Sequence, residues 1–74
     1  MINSVILMRV QPGKAKIALD AVKRFKEVKT VFLVFGRYDM VAFAELASLD
    51  AVKTFSSKIN AIKEIRSSET LIEG

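Results

Sequence analysis

The sequence predicts a small α+β domain with the element order β-α-β-β-α-β. Three observations predict it. Four short stretches are dense in Val, Ile, Leu and Phe, the composition that suits a pleated surface. Two intervening stretches instead repeat their apolar residues with the 3.6-residue period of an amphipathic helix. Between these helical stretches lies VFLVFGRYDMVAFAEL, residues 31–46, in which two apolar runs flank the polar tetrapeptide Gly36-Arg37-Tyr38-Asp39. Glycine tolerates positive φ, and an Asp side chain bonds readily to nearby backbone, so the tetrapeptide reads as the turn of a β-hairpin.

The elements follow in order. Ile2–Val10 is the first strand, and Gln11-Pro12-Gly13 ends it because proline cannot donate to a ladder. Lys14–Lys26 is the first helix, with Ala15, Ala18, Leu19, Val22 and Phe25 on one stripe and Asp20 and Arg24 placed for an i,i+4 ion pair. Val28–Phe35 and Met40–Leu46 are the hairpin strands. Ser48 is a suitable N-cap with Asp50 in the first turn behind it, and the second helix runs to about Ile62 on Val52, Phe55, Ile59 and Ile62. Ile65–Ile72 is the last strand. This order is the ferredoxin-like one: a four-stranded antiparallel sheet with two helices on one face. The near-repeat LDAVKRF at 19–25 and LDAVKTF at 49–55 falls mid-helix in one copy and at a helix start in the other, so it reflects shared amphipathicity rather than a site.

Composition limits the chemistry. Seventy-four residues make one domain, 51% apolar and 27% charged, which is a globular balance. The chain has no Cys and no His, so no disulfide, no thiolate metal site and no imidazole base is available. No metal and no cofactor is expected. No apolar run approaches the ~18–20 residues of a membrane-crossing helix, and Arg9 and Gln11 interrupt the first apolar run where a signal peptide would continue. The expectation is a cytoplasmic protein without membrane contact. The net charge of +4 comes from lysines that fall mostly on the polar faces of the helices.

Both faces of the hairpin strands are apolar. Val31, Leu33 and Phe35 alternate with Phe32 and Val34, and Met40, Ala42, Ala44 and Leu46 alternate with Val41 and Phe43. Two helices cover only one face of such a sheet, and soluble monomers seldom expose a large apolar patch. A homodimer packed sheet to sheet is therefore expected, with its seam assigned to Leu33, Phe35, Met40, Ala42 and Ala44.

Three motifs, in order along the chain, carry a family resemblance. Val10-Gln11-Pro12-Gly13 resembles a V-x-P-G strand exit, Gly36-Arg37-Tyr38-Asp39 a G-x-Y-D turn, and residues 65–72, IRSSETLI, a V-x-x-T-x-T-x-I/V ending. Together they resemble the effector-binding (RAM) module of the Lrp/AsnC transcription regulators, over essentially all 74 residues. Glu64-Ile65 stands where that family commonly has Gly-Val, and Ser68 where Thr is usual. The resemblance implies a dimeric α+β barrel assembling into a larger, octamer-like ring, with a small amino-acid effector bound between dimers. It implies a site built from Gly36, Arg37, Tyr38, Asp39, Ser68 and Thr70, and possible co-assembly with full-length regulators of the family. Full-length members carry a helix-turn-helix ahead of this module. The chain resembles the module standing alone, so direct DNA binding is not expected.

The residues themselves leave alternatives open. Asp39 suits an ammonium acceptor and equally a turn cap; Gly36 suits turn geometry first and close approach to a carboxylate second. Arg37 is a carboxylate clamp or a solvated charge, Tyr38 a pocket wall or packing, and Ser68 and Thr70 are ligand donors or ordinary strand residues. RNA binding is a rival, since RNA-recognition domains share the element order, but the first strand holds no aromatic to stack a base and Met40 stands where the third strand would need one. A small dimeric-barrel enzyme, monooxygenase- or isomerase-like, is another; its centre would rest on Asp39, Tyr38, Arg37 or Glu45. A purely structural adaptor is a third.

Overall fold

The computed structural model of the chain describes residues 1–73. The predicted element order is present: β1 (Ile2–Val10), α1 (Ala15–Lys23), β2 (Val28–Leu33), β3 (Met40–Leu46), α2 (Leu49–Asn60) and β4 (Ile65–Ile72). The strands form one antiparallel sheet in the order β2-β3-β1-β4, so β1 and β3 are central and β2 and β4 are edges.

Element ends differ from the sequence expectation where local bonds decide them. α1 stops at Lys23 because Arg24 is its C-cap and the Phe25 N–H tightens onto Val22 C=O at 3.2 Å. With Arg24 outside the helix, Asp20 pairs with Lys16 at 3.9 Å instead, an exposed contact of little energetic weight. α2 stops at Asn60, with Ala61 as its C-cap. Ser48 caps α2 as expected, its Oγ accepting from Ala51 N–H at 3.2 Å. β2 stops at Leu33, two residues short, because Val34 and Phe35 belong to the connection to β3.

Residues directly opposed in an antiparallel pair share a face. The pairs Ile6–Ala42 and Met8–Met40 lie on the helix side, and with Val10, Ala44, Leu46 and Ile65 they meet Ala18, Val22, Val52, Phe55 and Ile59 in one buried core. Phe25 and Phe55 meet edge-on within it, centroids 5.4 Å apart.

The register corrects the expected seam. Met40, Ala42 and Ala44 are 0%, 0% and 2% exposed, buried beneath the helices of their own chain. They cannot meet a partner. Leu33 opposes Met40, so it points to the helix side, but it lies at an edge and stays 48% exposed. Phe35 lies in the connection, fully exposed, rather than on the sheet. The uncovered apolar face is the other parity: Val5 opposes Phe43 and Leu71, Leu7 opposes Val41, and Val41 opposes Phe32. Phe32 and Phe43 touch across this face with centroids 6.0 Å apart, and each remains more than 40% exposed.

Candidate functional site

The connection between β2 and β3, residues 34–39, is held by Asp39 at the meeting point of three strand ends. The Asp39 N–H donates to Met8 C=O at 2.9 Å, and its C=O accepts from Val34 N–H at 3.0 Å. Its Oδ2 accepts from Val10 N–H at 2.8 Å. The β1–β3 ladder ends at Met8–Met40, and the β1–β4 register shifts between Arg9 and Val10. The carboxylate takes a backbone donor beyond the end of the β3 ladder. Asp39 is thus a structural acceptor, the reading the residues alone left open, with Oδ1 a second acceptor. Gly36 has φ +134°, a conformation side chains rarely adopt, and a Cβ built there meets nothing within 4 Å. Turn geometry, not crowding, accounts for this glycine.

The same turn reaches onto the uncovered face. The Arg9 side chain donates from Nε to Arg37 C=O at 3.1 Å, which ties β1 to the turn. The Tyr38 hydroxyl donates to Glu69 Oε1 at 2.8 Å. Glu69 lies on β4 opposite Leu7, so this bond crosses β1. The hydrogen bond to Glu69 holds the Tyr38 hydroxyl above the ordinary tyrosine pKa, helped by desolvation and the Glu69 charge, while Arg37 and Arg9 pull the other way. Arg9, Arg37, Tyr38 and Glu69 therefore form one mixed-charge cluster at this end of the sheet.

Ser68 and Thr70 are not part of that cluster within one chain. They oppose Met8 and Ile6, which places them on the helix side. Ser68 Oγ donates to Asn60 Oδ1 at 2.8 Å, and the Thr70 hydroxyl bonds the Ser56 hydroxyl at 2.9 Å, both partners being on α2. Within one protomer the two hydroxyls and the Tyr38–Glu69 bond lie on opposite faces of the sheet, because the two-residue period that puts 68 and 70 together puts Glu69 on the other face. Arg9 and Glu69 are the residues that motif reasoning passed over. Arg9 had a signal, being the one charge in the apolar first strand; Glu69, in a polar stretch of the last strand, had none.

Glu45, the enzymatic candidate on β3, pairs with Lys29 Nζ at 3.1 Å. Both line an open concavity of about 580 Å³ at the far end of the uncovered face, floored by Val5, Phe43 and Leu71. Among the described residues no three His, Cys, Asp or Glu side chains gather as a metal site. No helix among them is long and apolar enough to cross a membrane.

Comparison with known proteins places this architecture. The family model described as the Lrp/AsnC ligand binding domain matches residues 3–73. The crystal structure of FFRP-DM1 is similar to the chain, with a TM-score of 0.96 and 29% identity over all of both chains. Hypothetical protein PHS023 from Pyrococcus horikoshii gives a TM-score of 0.92 and 29% identity, over 100% of this chain and 90% of that one. Escherichia coli AsnC gives 0.89 and 27%, over 97% of this chain and 50% of AsnC. The chain thus spans about half the length of that regulator. Comparison with curated proteins returns no match.

Proposed function

The chain belongs to the Lrp/AsnC ligand-binding domain family, and from that premise we propose that it is a non-enzymatic, cytoplasmic sensor of a small amino acid that modulates transcription regulators. The observation that carries the reading is the turn at 34–39, where backbone, the Asp39 carboxylate, the Tyr38 hydroxyl and the Arg9 guanidinium are held in fixed relation by bonds to β1 and β4. An α-amino acid needs both charge signs at close range, and this turn offers them. Asp39 Oδ1 accepts from the ligand ammonium in a charge-assisted hydrogen bond, Gly36 leaves backbone N–H groups open to the carboxylate, and Arg37 adds a guanidinium contact.

The protomer does not close this site. Two copies pack through the face of Val5, Leu7, Phe32, Val41, Phe43 and Leu71, making a dimeric α+β barrel, and dimers join into a larger ring. The effector lies between dimers, where the turn of one faces Ser68 and Thr70 of its neighbour. Full-length regulators of the family are natural partners for mixed assembly. Calorimetry against the twenty protein amino acids, with particle mass followed by light scattering, tests the proposal. Heat from one or a few amino acids on a particle larger than a dimer is the expected result. No heat from any of them overturns ligand sensing.

A further inference from the structure

We propose that Arg9 and Glu69 set the charge specificity of the turn site: Arg9 reads the ligand's carboxylate, and Glu69 is a positioning residue that turns the Tyr38 oxygen into an acceptor for the ligand's ammonium. The inference rests on the amino-acid reading above and goes beyond it to Arg9, outside the family-like motifs, and Glu69, at an unspecified position of the last one.

A tyrosine hydroxyl has one proton and two acceptor lone pairs. In this chain the proton is committed to Glu69 Oε1 at 2.8 Å. Toward any other group the oxygen then only accepts. A carboxylate approaching it is repelled; an ammonium is welcomed. Glu69 adds its own negative charge beside that oxygen and offsets the Arg37 and Arg9 charges that also reach it. Arg9 provides the complement. Its Nε is fixed on Arg37 C=O at 3.1 Å, which orients the planar guanidinium and leaves its Nη edge for a ligand. Among the described residues Arg9 has no ion pair with an acidic side chain. The side chain is preorganised by one bond, so less rotamer entropy is lost when it grips a carboxylate. The two roles select a zwitterion over a simple amine or a simple acid.

Two measurements test this, and the chain suits both because it has one Tyr and no Trp. First, ultraviolet titration of the ligand-free protein reads Tyr38 alone. Glu69→Gln keeps the shape and removes the charge, and the Tyr38 ionisation is expected to move to lower pH; no movement overturns the positioning role. Second, Tyr38 fluorescence and calorimetry follow binding of the twenty amino acids and of their α-carboxamides, which keep the ammonium and lose the carboxylate charge. Arg9→Gln is expected to weaken the amino acid about ten- to a hundredfold, the loss of a charge-assisted bond, and to leave its amide nearly unchanged. Equal losses for acid and amide, or a lower particle mass without a change in ligand preference, would make Arg9 a structural or subunit-rim residue and overturn its role here. Glu69→Leu is expected to weaken, with Asp39 still in place, the preference for ligands that carry an ammonium over the matching α-keto acids; an unchanged preference contradicts it. If no amino acid binds the unaltered protein, the sensing proposal itself fails, an outcome distinct from binding that ignores Arg9 and Glu69.

Discussion

Replacing Asp39 with alanine removes a carboxylate that accepts a backbone N–H from Val10 at 2.8 Å. Val10 is a buried residue at the point where the β1–β4 register shifts, and its N–H lies past the last β1–β3 pair. A hydrogen bond to a charged group contributes about 1.5–3 kcal/mol when shielded. Asp39 is itself exposed, so water takes back part of that, and the expected cost of Asp39→Ala in the ligand-free protein is about 1–2 kcal/mol. A chain of 74 residues has roughly 4–11 kcal/mol to lose. For a domain of this size each kcal/mol moves the midpoint by about 4–8 °C, so thermal unfolding followed by circular dichroism should drop by roughly 5–15 °C. Asp39→Asn keeps a neutral acceptor and should lose about half as much. The backbone bonds of residue 39, to Met8 and Val34, survive both changes, so the fold itself should persist. A change below about 0.5 kcal/mol for alanine, the range of ordinary surface substitutions, would refute the structural role assigned to this carboxylate. So would an asparagine variant as unstable as the alanine one.

The remaining predictions concern the two faces of the sheet and the single tyrosine. Phe43→Asp places a charge on the uncovered face and should dissociate the assembly while circular dichroism still shows a folded chain; Met40→Asp places one in the core and should abolish folding. Equal behaviour of the two variants would contradict the assignment of faces. Tyr38 should ionise above the ordinary tyrosine range, because its neutral form is hydrogen-bonded to Glu69. A group whose folded pKa is raised stabilises the fold below its unfolded pKa and loses that contribution as pH rises through the folded value. Stability should therefore fall in strongly alkaline solution, and less so in Tyr38→Phe, with denaturant titrations at several pH values as the check.

The sequence carried the element order because each element repeats its own signal. The stripe Ala18, Val22 and Phe25, the Ser48 cap and the apolar strands are all local patterns, and local patterns survive without knowledge of the fold. The existence of two apolar sheet faces was legible for the same reason. Which face belonged to the helices was not, because Met40, Ala42 and Ala44 and the alternate pair Val41 and Phe43 are equally apolar. Only the pairing register and the packing of Val22, Phe55 and Ile59 against Met8 and Met40 settle it. The turn at Gly36–Asp39 was visible as a break in hydropathy. The partners of Asp39 and Tyr38 were not, since Val10 and Glu69 lie 29 and 31 residues away and reach them only through strand pairing. Ser68 and Thr70 show the limit from the other side: a spacing of two puts both on one strand face, but nothing local shows that α2 supplies Asn60 and Ser56 to engage both hydroxyls.

Ligand sensing between subunits requires that the face of Val5, Leu7, Phe32, Val41, Phe43 and Leu71 be covered by another copy of the chain. Light scattering coupled to size-exclusion chromatography at micromolar concentration measures this directly. The account predicts a particle whose mass is an even multiple of the 8.2 kDa protomer, dimeric at least, that persists on dilution and is lost in Phe43→Asp. A monodisperse 8.2 kDa particle would contradict it.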